Sequence, residues 1–162
     1  MVHPALDDLD LAILRELQAD GRLPNADLAR RIGLSPPATH ARVRRLEREG
    51  VIDRYVALLD AEAAGYDLLC FVSVGLRAHH RDEIERFRDA VAAFPEVLEV
   101  HHVTGEYDYL LRVVLRNRRD LERFAVERLA PIPGIGRIQT SLVLREVKRA
   151  TALPLSPAAG PA

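Results

Sequence analysis

The hydrophobic period of this chain changes once, near residue 67, and that change constrains the fold more than any other feature. Before it, apolar residues recur every three or four positions, the period of amphipathic helices; after it, they alternate as strands do. Leu6, Leu9, Ile13 and Leu17 fall on one helical face, with Asp7 or Asp8 placed as N-cap, and Gly21 ends that helix. Asn25 is placed to cap a second helix with Leu28, Ala29 and Ile32 inward, and Gly33 supplies its left-handed terminus. Ser35 then caps a third helix, with Pro36 at its first position, Thr39, Val43 and Leu46 inward, and Gly50 as its stop. Two helices joined by a short turn containing Gly are the spacing of a helix-turn-helix, a spacing that any small helical bundle shares.

Charge separates those two readings. Net charge is −1 from 23 basic and 24 acidic residues, so a general polyelectrolyte binder is disfavoured and any basic surface is local. Residues 30–54 hold seven Arg (30, 31, 42, 44, 45, 48, 54) against Glu47, Glu49 and Asp53, a surplus of four. With Thr39, Val43 and Leu46 inward, the helical period sends Pro37, Ala38, Ala41, Arg44, Arg45 and Arg48 to the other side. Small residues admit the backbone to a major groove, and Arg suits both phosphate and the guanine edge. The pattern therefore favours double-stranded DNA as partner.

Residues 53–67 form a connector whose RYVAL stretch is read as a short strand. Next come a strand at 68–77, a helix at 81–94 with Ile84, Phe87, Val91 and Phe94 inward, and strands at 97–105 and 107–116 about a Gly turn. A helix at 119–129 with Leu121, Phe124, Ala125 and Leu129 inward and a strand at 136–147 complete β-α-β-β-α-β, a ferredoxin-like order. The fold class is α+β: a three-helix domain over 1–52, the connector 53–67, the sheet domain 68–149, and a Pro/Ala-rich tail 150–162 expected to be mostly disordered. Strand 68–76 carries apolar residues on both faces, with Leu68, Cys70, Val72, Val74 and Leu76 on one and Leu69, Phe71, Ser73 and Gly75 on the other. Two helices cover only one face of such a sheet, so a second copy of the chain is the simplest cover for the other, with the three-helix domain as the alternative.

Other chemistries find little support. His79-His80 and His101-His102 invite a metal, but neighbours on a strand point to opposite faces and no Cys or acidic cluster stands at ligand spacing. Cys70, the single cysteine, sits in an apolar strand and reads as inert core. No GxSxG, P-loop or GxGxxG is present, so no enzyme or bound cofactor is expected. The N-terminus lacks the pattern of a signal peptide and LLCFVSVGL is too short to span a bilayer, which points to a cytoplasmic protein with no membrane partner.

Two stretches carry a resemblance. GLSPxxxxxRVRRLExxGVI over 33–52 and VTGEYDYLL over 103–111, set in a match from about Leu6 to Leu155, resemble the Lrp/AsnC (leucine-responsive, or feast/famine) family of transcription regulators. The resemblance implies a DNA-binding half, an amino-acid-sensing RAM half, and dimers that pair through their sheets and associate into tetramers or octamers on the nucleoid. It implies that Ser35 caps the recognition helix and touches phosphate, and that Arg42, Arg44 and Arg45 are DNA-contacting cations. Pro37, Ala38, His40 and Ala41 then face the bases, beside Arg48. It also implies that Gly105, Glu106, Tyr107 and Asp108 form the effector loop, with Thr140 lining the pocket. Asp108 would accept from the ammonium of a free amino acid, and backbone N–H groups near Gly105 would donate to its carboxylate; a strand-edge charge or a turn cap is the plainer role for Asp108. Leu110, Ile135 and Ile138 point to a hydrophobic amino acid. Two departures stand out: Pro24 where relatives place Ser or Thr, and Thr39 where they place an apolar β-branched residue, which should loosen packing slightly. An architectural, nucleoid-organising protein without effector is the alternative function.

Overall fold

The computed structural model describes residues 6–77 and 80–156, so His79 lies outside the described residues. They divide into two units, residues 6–58 with 148–156, and residues 59–77 with 80–147.

In the first unit, Asp7 starts α1 (Asp8–Ala19) through a reciprocal exchange. Asp10 N–H donates to Asp7 Oδ1 at 2.8 Å and Asp7 N–H donates to Asp10 Oδ2 at 3.2 Å. The cap expected of Asn25 is not made. Pro24 is the N-cap of α2 (Asn25–Ile32) and has no side-chain bond to give, while Asn25 Nδ2 donates to the Pro36 carbonyl at 2.9 Å. Proline's fixed φ of −60° sets the entry into α2, and Asn25 is spent on tying α2 to the next helix. Gly33, at φ 72°, closes α2 in the left-handed region, and Leu34 N–H donates to the Ala29 carbonyl at 3.0 Å. Ser35 Oγ accepts from Ala38 N–H at 3.4 Å and opens α3 (Pro36–Arg48). Ile13, Leu14, Leu28 and Leu46 form the core, with Leu6, Leu17, Leu23, Ile32 and Val43 packed around it. Thr39 is fully buried, and its hydroxyl donates to the Ser35 carbonyl at 3.1 Å, so the polar atom is satisfied.

Two expectations change here. The RYVAL stretch is not a strand: in a single chain it joins none of the four strands of the sheet. The tail is not featureless, because Leu155 packs on the core of this unit. Leu153 N–H donates to Gln18 Oε1 at 2.6 Å, and Arg15 Nη2 donates to the Leu155 carbonyl at 3.0 Å.

The second unit is a four-stranded antiparallel sheet in the order β2-β3-β1-β4, with β1 Leu68–Leu76, β2 Val97–His102, β3 Tyr109–Leu115 and β4 Ile135–Leu142. Cys70, Val72 and Val74 on β1 and Tyr109, Leu111, Val113 and Leu115 on β3 are buried against Phe87 and Val91 of α4 (Arg81–Ala92). The helix expected at 119–129 is α5 (Arg118–Glu122) running on as a π-helical segment, Arg123–Leu129. Its i→i+5 bonding brings residues five apart onto nearly one face, so both Phe124 and Leu129 reach the core. β4 stops five residues short of the expected strand end. Leu142 pairs with Cys70, two residues from the start of β1, so the chain soon runs past its partner; Leu144 and Val147 are about nine-tenths exposed, at 92% and 90%.

Candidate nucleic-acid interface and effector loop

Ser35, Pro37, Ala38, His40, Ala41, Arg44 and Arg48 are exposed on or at the start of α3. Arg44 and Arg48 have no ion-pair partner among the described residues. Arg42 and Arg45, expected to face DNA with them, turn the other way. Arg42 Nη1 donates to Asp7 Oδ2 at 2.7 Å and Asp10 Oδ1 at 2.9 Å, and Arg45 Nη2 donates to Asp10 Oδ2 at 2.5 Å. The reason is Asp10, which is 1% exposed: a carboxylate removed from water has to be paired. The Asp10 N–H and then the Arg42 guanidinium hold the Asp7 carboxyl below its ordinary value. Asp10 was not singled out in the sequence, although its spacing from Asp7 is the capping-box signal, and residue 10 lies between the apolar positions 9 and 13.

At the other candidate site, Gly105 takes φ 123°, a backbone open to glycine, with nothing within 4 Å of the place a Cβ would occupy. The next three residues are each engaged. Glu106 pairs with Arg137; Tyr107 Oη donates to Gln139 Oε1 at 2.5 Å, under an Arg137 guanidinium 5.0 Å from its ring centroid. Asp108 Oδ2 accepts from Leu76 N–H at 2.7 Å, where the register of β1 against β4 shifts between Gly75 and Leu76. The Asp108 carboxylate therefore ties the turn before β3 to the end of β1.

Thr140 is not brought to this cluster. It pairs with Val72 and shares the helix-covered side of the sheet, whereas Gln139 and Arg137 pair with Ser73 and Gly75 on the open side, beside Tyr107. Gln139 and Arg137 are the residues that sequence reasoning missed, and only the register of β4 could have revealed them. The apolar surroundings also divide: Ile135 is buried and Ile138 packs on the core, leaving Leu110 on the open face opposite Ser73. His101 bonds Glu99 at 3.0 Å while His102 stacks on Tyr109 with centroids 5.0 Å apart, and no metal-holding cluster exists among the described residues. Burial pushes the Cys70 thiol up, away from reactivity.

An N-capped helix with an exposed small-residue and arginine face, and a separate ferredoxin-like unit with an engaged Gly turn, define a two-part DNA-binding regulator. Residues 6–53 match the winged helix-turn-helix DNA-binding family and residues 69–153 the Lrp/AsnC ligand binding domain. The chain belongs to the Lrp/AsnC family of transcription regulators. It is 43% identical over 150 residues to the leucine-responsive regulatory protein of Rhizobium meliloti, covering 93% of this chain and 96% of that one. It is 40% identical over 148 residues to the Escherichia coli K12 protein of the same name, covering 91% and 90%. A transcriptional regulator of Neisseria meningitidis solved as its L-Met complex superposes with a TM-score of 0.89 at 38% identity, over 92% and 96% of the two chains.

Proposed function

We propose that this regulator changes its assembly and its affinity for DNA when an amino acid binds at the Gly105–Asp108 turn, and that α3 enters the major groove. Arg44 and Arg48 then meet phosphate, Pro37, Ala38, His40 and Ala41 face the bases, and the Ser35 end of the helix approaches the backbone. One observation carries the effector reading. The turn gathers Glu106, Arg137, Tyr107 and Gln139, an acid, a base and hydroxyl and amide groups suited to a zwitterion, at the rim of the open sheet face. A relative bound to L-Met and relatives named for leucine support a hydrophobic amino acid. Thr140, on the far side of β4, is left out of this proposed site.

The proposal extends to assembly. Phe71 is 38% exposed on a face that neither helix of its unit covers, which supports a homodimer paired through the sheets and larger assemblies of dimers. No helix among the described residues is long and apolar enough to cross a membrane, and a regulator of this kind acts in the cytoplasm, on the nucleoid. Calorimetric titration of the full-length protein with L-methionine, L-leucine and L-aspartate, with parallel DNA-binding curves, tests the reading. Saturable heat with one of the first two amino acids and a shifted DNA affinity are expected. Absence of both with every amino acid favours the architectural alternative.

A further inference from the structure

The four arginines of α3 fall into two rows. Arg44 and Arg48 stand four residues apart on the exposed side, while Arg42 and Arg45, three apart, end on one carboxylate of α1. We infer that Asp10 is a positioning residue for DNA recognition: it withholds Arg42 and Arg45 from the phosphate backbone and leaves α3 a sparse cationic face. The inference rests on the reading of α3 as the helix that faces DNA.

Three observations carry it. Asp10 is 1% exposed, and its two oxygens take Arg42, Arg45 and the Asp7 N–H. Lending either guanidinium to a phosphate would leave a desolvated carboxylate under-paired, a poor exchange for one solvated contact. Asp7 and Asp10 both sit in or beside the first turn of α1, where the helix dipole favours their negative charge. Finally, Asp7 shares Arg42, so that guanidinium answers to two carboxylates at once. With fewer phosphates neutralised, less of the binding is indifferent to sequence, and base-edge contacts decide more of it.

The salt dependence of DNA binding reads this directly, because each phosphate contact contributes about 0.9 to the slope of log K against log salt. Full-length protein is titrated with a short duplex of arbitrary sequence, with circular dichroism confirming the fold of each variant. Arg44→Gln is expected to flatten the slope by about 0.9. Arg45→Gln, whose amide can still donate to Asp10, is expected to leave it unchanged. Asp10→Asn frees Arg45 while Asp7 still holds Arg42, so it is expected to steepen the slope by about 0.9 and to tighten binding to the arbitrary duplex, which a merely structural Asp10 would not do. Where Asp10→Asn unfolds, the Asp10→Asn, Arg42→Gln double variant leaves one guanidinium released and is expected to gain about 0.9. A slope flattened by Arg45→Gln as much as by Arg44→Gln overturns the inference, as does an unchanged slope in the folded Asp10→Asn protein or, where that unfolds, in the double variant. If neither arginine variant moves the slope, the DNA-facing reading of α3 fails, and the role of Asp10 with it.

Discussion

Asp108 shows how one carboxylate can confuse two experiments. Its Oδ2 accepts from the Leu76 N–H at the β1 irregularity, so Asp108→Ala removes that acceptor as well as any counter-charge for an effector ammonium. An unsatisfied, part-buried N–H costs up to about 1–3 kcal/mol, enough to blur a binding measurement with lost stability. Asp108→Asn keeps an acceptor oxygen and discards the charge. Loss of one partner from a desolvated ion pair costs about 2–5 kcal/mol, so this variant should bind amino acid some 30- to 4,000-fold more weakly, at nearly unchanged melting temperature and effector-free DNA affinity. Calorimetry beside a thermal melt checks it; equal binding by both proteins removes Asp108 from the effector site. Asp7 permits a second residue-scale test. Its folded-state pKa is depressed, so the unfolded chain takes up the proton first, and the stability Asp7 contributes is present above its ordinary 3.8 and lost as pH falls through the lower folded value. Asn keeps the capping acceptor but not the charge that Arg42 meets, so Asp7→Asn should be less stable than the wild type near neutral pH, with the difference closing as pH falls below that point and its acid dependence flattened. Denaturant melts at stepped pH measure this; an unchanged acid limb argues that the Arg42 and Asp10 bonds to Asp7 carry no weight.

At the scale of elements, the turn between α2 and α3 gives the cleanest test. Gly33 has φ 72° and open space where a Cβ would go, so replacing it meets a conformational cost and no clash. Gly33→Ala should destabilise by about 1–2 kcal/mol, and Gly33→Asn by less, because Asn visits the left-handed region more readily. The ordering Gly, Asn, Ala in urea midpoints is the expected result; equal losses for both would point to a contact the turn does not show. The same elements show what the sequence made legible. Periods of 3.6 and 2 placed every helix and sheet strand, and their succession, β-α-β-β-α-β, was legible as a ferredoxin-like arrangement. The expected strand ends and the π-helical segment were not, since the first depend on where a partner strand stops and the second on the spacing of five between Phe124 and Leu129. Cross-strand register, likewise invisible in one strand, put Gln139 rather than Thr140 beside Tyr107. Period alone set Arg45 among the exposed arginines; a buried acid on another helix turned it inward.

The whole molecule is where the open face of the sheet acts. Across its centre run Glu99, Arg112, Phe71 and Ser141, one residue from each strand, and Arg112 is already paired with Glu99 at 3.1 Å. Phe71 is thus an apolar side chain beside a guanidinium that has a partner. In a lone subunit, Phe71→Arg sets a second cation next to Arg112 on a surface that water still reaches, a cost of about 0.2–1 kcal/mol that a folded domain absorbs. In a face-to-face dimer the same charge is buried without a partner and, by twofold symmetry, appears twice, so the association bears most of the damage. Sedimentation should therefore find the wild type as a dimer or larger and Phe71→Arg as a monomer with native circular dichroism. Val126→Arg, on the 63% exposed outer side of the π-helical segment, is the control and should leave the dimer intact. DNA binding should follow assembly. Two linked recognition helices on paired half-sites bind about 10²–10⁴-fold more tightly than one, so Phe71→Arg should lose that factor on a paired site and almost nothing on a single half-site. A Phe71→Arg protein that still sediments as a dimer would place the subunit contact elsewhere, and an unchanged preference for paired sites would show that bivalence does not come through the sheet.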